Sequence, residues 1–208
     1  MPRVTDEYRA NRRAEILAAA TRRFAHQGFH ATSMADIISE SGLSAGAVYR
    51  YFPSKEDLIS AVAETTLSTA DEVFARLLAG GATPSPEHVV TMMIDAIIGR
   101  VTNDPATGID LTRVIMQVWA EALRNHELRI RVNDAYYRLR GHFAEVARRW
   151  QAAGNLPAGA DPDSVGAAML SLVQGFALQR LLVSDTTIDG YIGGVRALLA
   201  GDDQARTP

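Results

Sequence analysis

Cysteine is absent from the 208-residue chain. No disulfide and no thiolate metal site can therefore form, and a reducing, cytoplasmic location is expected. Lysine is nearly absent too, Lys55 being the only one. Aromatic residues make up only 7%. No run alternates apolar and polar residues convincingly, which argues against half-buried strands. The first fifteen residues hold four arginines, three acids and no apolar block, so a secretory signal is not expected. The longest apolar stretch, Ala167 to Val183, is broken by Gln174, Gln179 and Arg180 and reads as too short and too polar to cross a bilayer. Neither glycine-rich phosphate cradle, G-x-x-x-x-G-K-[ST] or G-x-G-x-x-G, is present.

What is present has helical period. Arg9 to His26 places Ile16, Leu17, Ala20 and Phe24 on one stripe, and Gly28 supplies the stop. Ser33 followed three residues later by Asp36 marks a helix start, and Gly42 ends that short helix. Ser44 caps a second short helix reaching Tyr51. Ser54 caps a longer one, to about Leu78, with Leu58, Val62 and Val73 inward. A loop over 80–86 follows, then helices at roughly 87–101, 111–125, 127–153, 163–183 and 188–199. The breaks between them fall at Asn103-Asp104-Pro105, Gly154-Asn155-Leu156-Pro157, Asp161-Pro162 and Gly201, and residues 206–208 read as a frayed tail. The fold class expected is all-α, with about nine helices.

Two chemistries compete for residues 42–46, Gly-Leu-Ser-Ala-Gly. The pattern G-x-S-x-G would make Ser44 a hydrolase nucleophile, but such an elbow joins a strand to a helix and needs a histidine and an acid in reach. Here a helix precedes it. The five histidines, at 26, 30, 88, 126 and 142, form neither a triad nor a metal motif. No catalytic residue, metal or cofactor is expected. As helix, turn and helix the same residues make better sense: Gly42 accepts positive φ, while Ile37, Leu43, Val48 and Phe52 bury against Phe24. Ser44, Ala45, Gly46, Tyr49 and Arg50 then face outward. Small residues let the backbone approach a groove, and Tyr49 and Arg50 offer donors to it. Thr32, Ser33 and Lys55, at neighbouring helix starts, are placed to clamp phosphates. Net charge is −3, yet residues 1–60 hold eight basic and seven acidic groups against thirteen and seventeen in the remainder. The acid is thus concentrated away from this segment, and phosphate contacts are local.

From about residue 12 to 63 the chain resembles TetR/AcrR-family transcriptional regulators. The likeness is carried by TSMADIISESGLSAGAVYRYFPSKEDLISAV, with its hydroxyl pair, turn glycine, following serine, G-x-V-Y-x-Y-F and S-K-E-D-L. Ala45 and Ala47 stand where members often carry polar groups, which implies fewer side-chain contacts to bases. The resemblance implies an N-terminal three-helix DNA-binding head, residues 1–53, on a helical effector-binding and dimerisation body, residues 54–208. It implies a homodimer whose second short helices enter major grooves about 34 Å apart. A repressor released from a palindromic operator by a small-molecule effector is the function implied; the alternative is an all-α small-molecule binder without DNA function. Large or adaptable groups on body helices, Met116, Trp119, Tyr136, Phe143, Met169 and Phe176, are the candidate effector pocket. The helix from Asp163 is apolar nearly all round, so one packed face cannot satisfy it. Gly166, Leu170, Val173 and Ala177 from it, with Val195 and Leu198 from the last helix, are the candidate dimer interface.

Overall fold

The computed structural model describes residues 6–79, 85–101, 107 and 109–200. Among these, nine helices and no strand are found, as the periodicity predicts: α1 (Asp6–Ala31), α2 (Met34–Ser41), α3 (Ala45–Tyr51), α4 (Lys55–Ala79), α5 (Pro86–Val101), α6 (Thr112–Ala122), α7 (His126–Ala152), α8 (Pro162–Leu182) and α9 (Ile188–Ala200). The expected breaks at Asn103-Asp104-Pro105 and Gly201, the tail, residues 80–84 of the expected loop and the side chain of Val73 lie outside the described residues.

Local chemistry sets the helix ends. Ser54 Oγ accepts the Asp57 N–H at 3.1 Å and donates to its carboxylate at 2.6 Å, opening α4. Asp161 accepts the N–H groups of Asp163 and Ser164 at the start of α8, with Pro162 as its first residue. α1 outruns its expected end. Gly28, at φ 84° and ψ 164°, breaks the helix, and the chain resumes helical geometry as far as Ala31. Only glycine adopts that backbone without strain, which is why the break falls there.

The chain forms two compact units. The first is Met1–Ser68 with Arg100–Ala135, the second Thr69–Gly99 with Tyr136–Pro208. α6 thus joins α1–α3 in the first unit. The buried side chains of that unit include Ile16, Leu17, Ala20, Phe24, Ile37, Val48, Phe52, Leu58 and Val62. The second is built on one apolar cluster from α4, α5, α7, α8 and α9, with Phe74, Met93, Phe143, Trp150 and Phe176 among its buried members. Each such side chain contributes roughly 1.5–3 kcal/mol by leaving water. Phe74 meets Phe143 edge to face at 4.6 Å, and His142 stacks on Phe74 at 5.0 Å.

Three expectations about the second unit are corrected. α8 is long and apolar enough to cross a membrane by length and composition, with mean hydropathy 1.4 over its most apolar window. Here it gives Met169, Leu170, Val173 and Phe176 to the apolar cluster. Of the expected interface residues, Gly166, Leu170, Val173 and Val195 are less available than expected. Leu170, Val173 and Val195 are buried within the chain, so they do not form an exposed face. Gly166 is small because α7 passes beside it: a Cβ there would lie 2.7 Å from Ala144 N and 2.8 Å from the Arg140 carbonyl. Ala177 packs partly against the cluster, leaving Leu198, 81% exposed, as the one expected interface residue fully open to solvent. The apolar residues on the open side of α8 are instead Leu178 and Leu182. Phe143, Met169 and Phe176, expected to line a pocket, are closed core.

Candidate nucleic-acid interface

The segment from Ser33 to Phe52 is a helix–turn–helix held by side chains no more than three residues from what they bind. Ser33 is extended, at φ −98° and ψ 162°, and its Oγ accepts the Asp36 N–H at 3.2 Å. Asp36 in return accepts the Ser33 N–H at 2.8 Å and its hydroxyl at 2.6 Å. This reciprocal capping box satisfies two helix-end donors and holds the Asp36 carboxyl below its ordinary pKa, the Ser33 hydroxyl being the larger cause and its N–H the next. At the far end Gly42 is left-handed, φ 67° and ψ 9°. A Cβ there would meet nothing within 4 Å, so the requirement for glycine is conformational and not steric. Ser41 Oγ accepts the Leu43 N–H at 3.2 Å, tightening the turn.

Ser44 then caps α3. Its backbone is extended and its Oγ accepts the Ala47 N–H at 3.3 Å. A helix and a turn precede it, so Ser44 sits in a capping geometry with no strand behind it. Val48 is fully buried and Phe52 nearly so. With those side chains inward, Ser44, Ala45, Gly46, Tyr49 and Arg50 are all exposed, Tyr49 to 47%. Nothing lies within 4 Å of a Cβ built on Gly46, so a partner has room to approach the backbone there. α2 is tied to α1 by Glu40, whose carboxylate pairs with Arg22 at 2.7 Å and Arg23 at 3.2 Å. The Arg22 hydrogen bond is the main reason that carboxyl lies below its ordinary pKa.

Two of the expected clamp residues turn inward. Thr32 is 1% exposed, and its hydroxyl donates to the Gly28 carbonyl at 2.8 Å. Lys55 Nζ donates to the carbonyls of Phe29 at 2.9 Å and Thr32 at 3.2 Å. A cation there neutralises carbonyls left open at the end of α1 and locks the start of α4 to it. Both residues hold the three-helix arrangement together. Ser33 remains exposed, though its hydroxyl is engaged by Asp36.

Sequence reasoning missed two features. Gln117 of α6 bridges the break in α1: its Nε2 donates to the Phe24 carbonyl and its Oε1 accepts the Phe29 N–H, each at 2.9 Å. One amide thereby satisfies a donor and an acceptor that Gly28 leaves open. The partners are 88 and 93 residues apart, so no local pattern announces them. Beside it, a cleft of about 260 Å³ is lined in part by His30, Glu121 and Arg124, and Arg124 Nη2 lies 2.7 Å from His30 Nε2. The second missed feature is aromatic: the Arg13 guanidinium lies over the Phe52 ring at 5.2 Å, and that of Arg50 over Tyr51 at 5.6 Å.

The expected effector residues are divided between the two units. Met116 and Trp119 belong to the first unit, while Tyr136, Phe143, Met169 and Phe176 belong to the second. Met116, Trp119 and Tyr136 are half-buried. None of the six lines the α1–α6 cleft, nor a larger one of about 430 Å³ bordered by α8 and α9 around Leu172, Tyr191 and Leu198.

Known proteins match this arrangement. Residues 16–62 fit the family model of bacterial regulatory proteins, tetR family. Residues 86–201, more than half of the chain, fit that of the BetI-type transcriptional repressor, C-terminal. An uncharacterized HTH-type transcriptional regulator of Bacillus subtilis, YfiR, is 47% identical over 66 residues, 32% of either chain. The HTH-type transcriptional regulator UidR of Escherichia coli K12 is 25% identical over 190 residues, 91% of either chain. Among solved structures, a transcriptional regulator of Saccharomonospora viridis in complex with choline shares the fold at a TM-score of 0.75 and 24% identity, over 93% of this chain and 97% of that one. The chain belongs to the TetR family of bacterial regulatory proteins and is a DNA-binding transcriptional regulator.

Proposed function

We propose that the chain is a homodimeric repressor that leaves a palindromic operator when a small molecule binds it. One observation carries the DNA half of this reading. Ser44, Ala45, Gly46, Tyr49 and Arg50 form an exposed surface on a helix whose start, end and buried face are fixed by Ser44, Phe52 and Val48. A rigid helix with small residues at its leading end and donors behind suits entry into a major groove. In this reading residues 1–53 are the DNA-binding part, and residues 54–208 hold the effector and the dimer contacts. Ser33, exposed at the start of α2, is assigned to the DNA-facing side in the same reading.

The dimer is assigned to the open apolar side of α8 and α9, Leu178, Leu182 and Leu198. Apolar groups of that size on a regulator's surface favour burial against a second copy. The effector must prefer the conformation that fits DNA less well, since only differential affinity shifts the equilibrium. Choline, bound by a structural neighbour, is the first probe for a thermal-shift test of the effector.

DNA selection from a random pool with the full chain tests the reading. The expected result is a palindromic consensus whose affinity falls steeply with salt. Tyr49→Ala should lower affinity for that consensus about tenfold, equivalent to 1.4 kcal/mol. Recovery of no enriched sequence, or binding insensitive to salt, would overturn it.

A further inference from the structure

α1 carries five arginines, at 9, 12, 13, 22 and 23. Three are neutralised within the protein. Arg12 pairs with Glu15 at 2.6 Å, and Arg22 and Arg23 share Glu40. Arg13 is different. The residues three and four positions from it are Arg9, Ala10, Ile16 and Leu17, none of them acidic. It is exposed, and no carboxylate lies within ion-pair distance of it among the described residues. Its guanidinium instead rests on the ring of Phe52, the residue that closes α3. One residue earlier, Tyr51 carries the Arg50 guanidinium, which also has no carboxylate partner among the described residues.

The end of α3 therefore presents two guanidiniums on adjacent aromatic residues, one from α3 itself and one from α1. A ring face orients a guanidinium and leaves its edge donors available to another acceptor. Two like charges with no counter-charge are best satisfied by an anion outside the protein. Lys55, the cation expected in that role, is bonded internally to two carbonyls.

We propose that Arg13 is a DNA-backbone contact, which extends the interface from α3 onto the first turns of α1 and pairs with Arg50 across the end of α3. The ligand class is the phosphodiester backbone of duplex DNA, and the assignment rests on the reading of α3 as the DNA-entering helix. Arg13 supplies affinity and register, while base preference stays with α3.

Salt titration of the full-length chain tests this on two probes, a duplex recovered by selection with the wild-type chain and one of scrambled sequence. Arg13→Ala should make the dependence of log affinity on log salt shallower by about 0.9 per protomer, so that a fourfold rise in salt costs each protomer about 3.5-fold less affinity than in wild type. The change should be equal on both duplexes. Arg13→Lys should keep the wild-type slope, and so should Arg12→Ala, since Arg12 is already paired with Glu15. A residue that only braced α3 would weaken binding when removed without altering the slope. A wild-type slope in Arg13→Ala, with wild-type DNA binding intact, overturns this assignment alone. A wild-type chain that captures no duplex overturns the DNA-binding reading and this assignment with it.

Discussion

Both compact units combine buried apolar side chains with side-chain-to-backbone hydrogen bonds, Gln151 and Tyr191 supplying some in the second, but the balance differs. In the first, hydrogen bonds from side chain to backbone recur wherever the chain turns: Ser33 and Ser44 at helix starts, Thr32 and Lys55 on the carbonyls that end α1, Gln117 across the Gly28 break. In the second, a continuous apolar cluster spans five helices, and the absence of a side chain at Gly166 lets α8 approach the backbone of α7. Polar stitching defines directions and distances, which suits a surface that must match a fixed partner. Apolar packing is less directional, and volume-conserving changes are tolerated best. Exposed polar residues on the first unit therefore sit on a scaffold that specifies their position.

The largest test of that contrast lies in the second unit. Phe143 is fully buried, with Phe74 against its edge. Phe143→Ala should lower unfolding free energy by about 3–5 kcal/mol in urea titrations, through lost burial and the cavity left behind. A side chain that lined a ligand cavity would cost far less to remove, so a loss below about 1 kcal/mol would restore Phe143 to a pocket and break the comparison.

Which parts were legible in the sequence follows the same division. Ser33, Ser44 and Ser54 were readable because a cap and its target lie within three residues. The outward face of α3 followed from Val48 and Phe52 being inward, again a local inference. The internal bonds of Lys55 were not legible because its partners, Phe29 and Thr32, lie 26 and 23 residues before it, and a lysine at a helix start looks the same whether it faces phosphate or carbonyl. In α8 apolar residues fall on every side of the helix, so the pattern could not say which side was inward. Gly166, expected at the dimer interface, marks a close approach to α7 of the same chain. The Arg13–Phe52 contact at the end of α3 was invisible because the two residues meet only in three dimensions.

A smaller effect is expected where the first unit depends on a single amide. Gln117→Leu keeps the volume of α6's contact but leaves the Phe24 carbonyl and Phe29 N–H without their partner. Unsatisfied groups of this kind cost about 1–3 kcal/mol. Hydrogen exchange gives the sharper readout, because the Phe29 amide should exchange faster in the variant while amides inside α8 keep their protection. Unchanged exchange at Phe29 would show that the stitch across Gly28 is not what orders this region.

The smallest effect concerns acid. The Asp36 carboxyl lies below its ordinary value because the Ser33 hydroxyl, and next its N–H, bind the charged form. A carboxylate lowered on folding stabilises the fold above its unfolded pKa, and that contribution disappears as pH falls through the folded value. Asp36→Asn cannot carry the charge at any pH. The stability difference between wild type and Asp36→Asn, followed by urea unfolding, should therefore be constant above the ordinary carboxylate range and shrink below it. Asp161 caps α8 with the same sign and the same leading cause, the hydroxyl of Ser164. Acid should thus loosen caps in both units while leaving the Phe143 cluster, which has no charge to lose, as the last part to open. A gap between wild type and Asp36→Asn that persists unchanged into acid would mean that the Ser33–Asp36 box acts through its shape and not its charge.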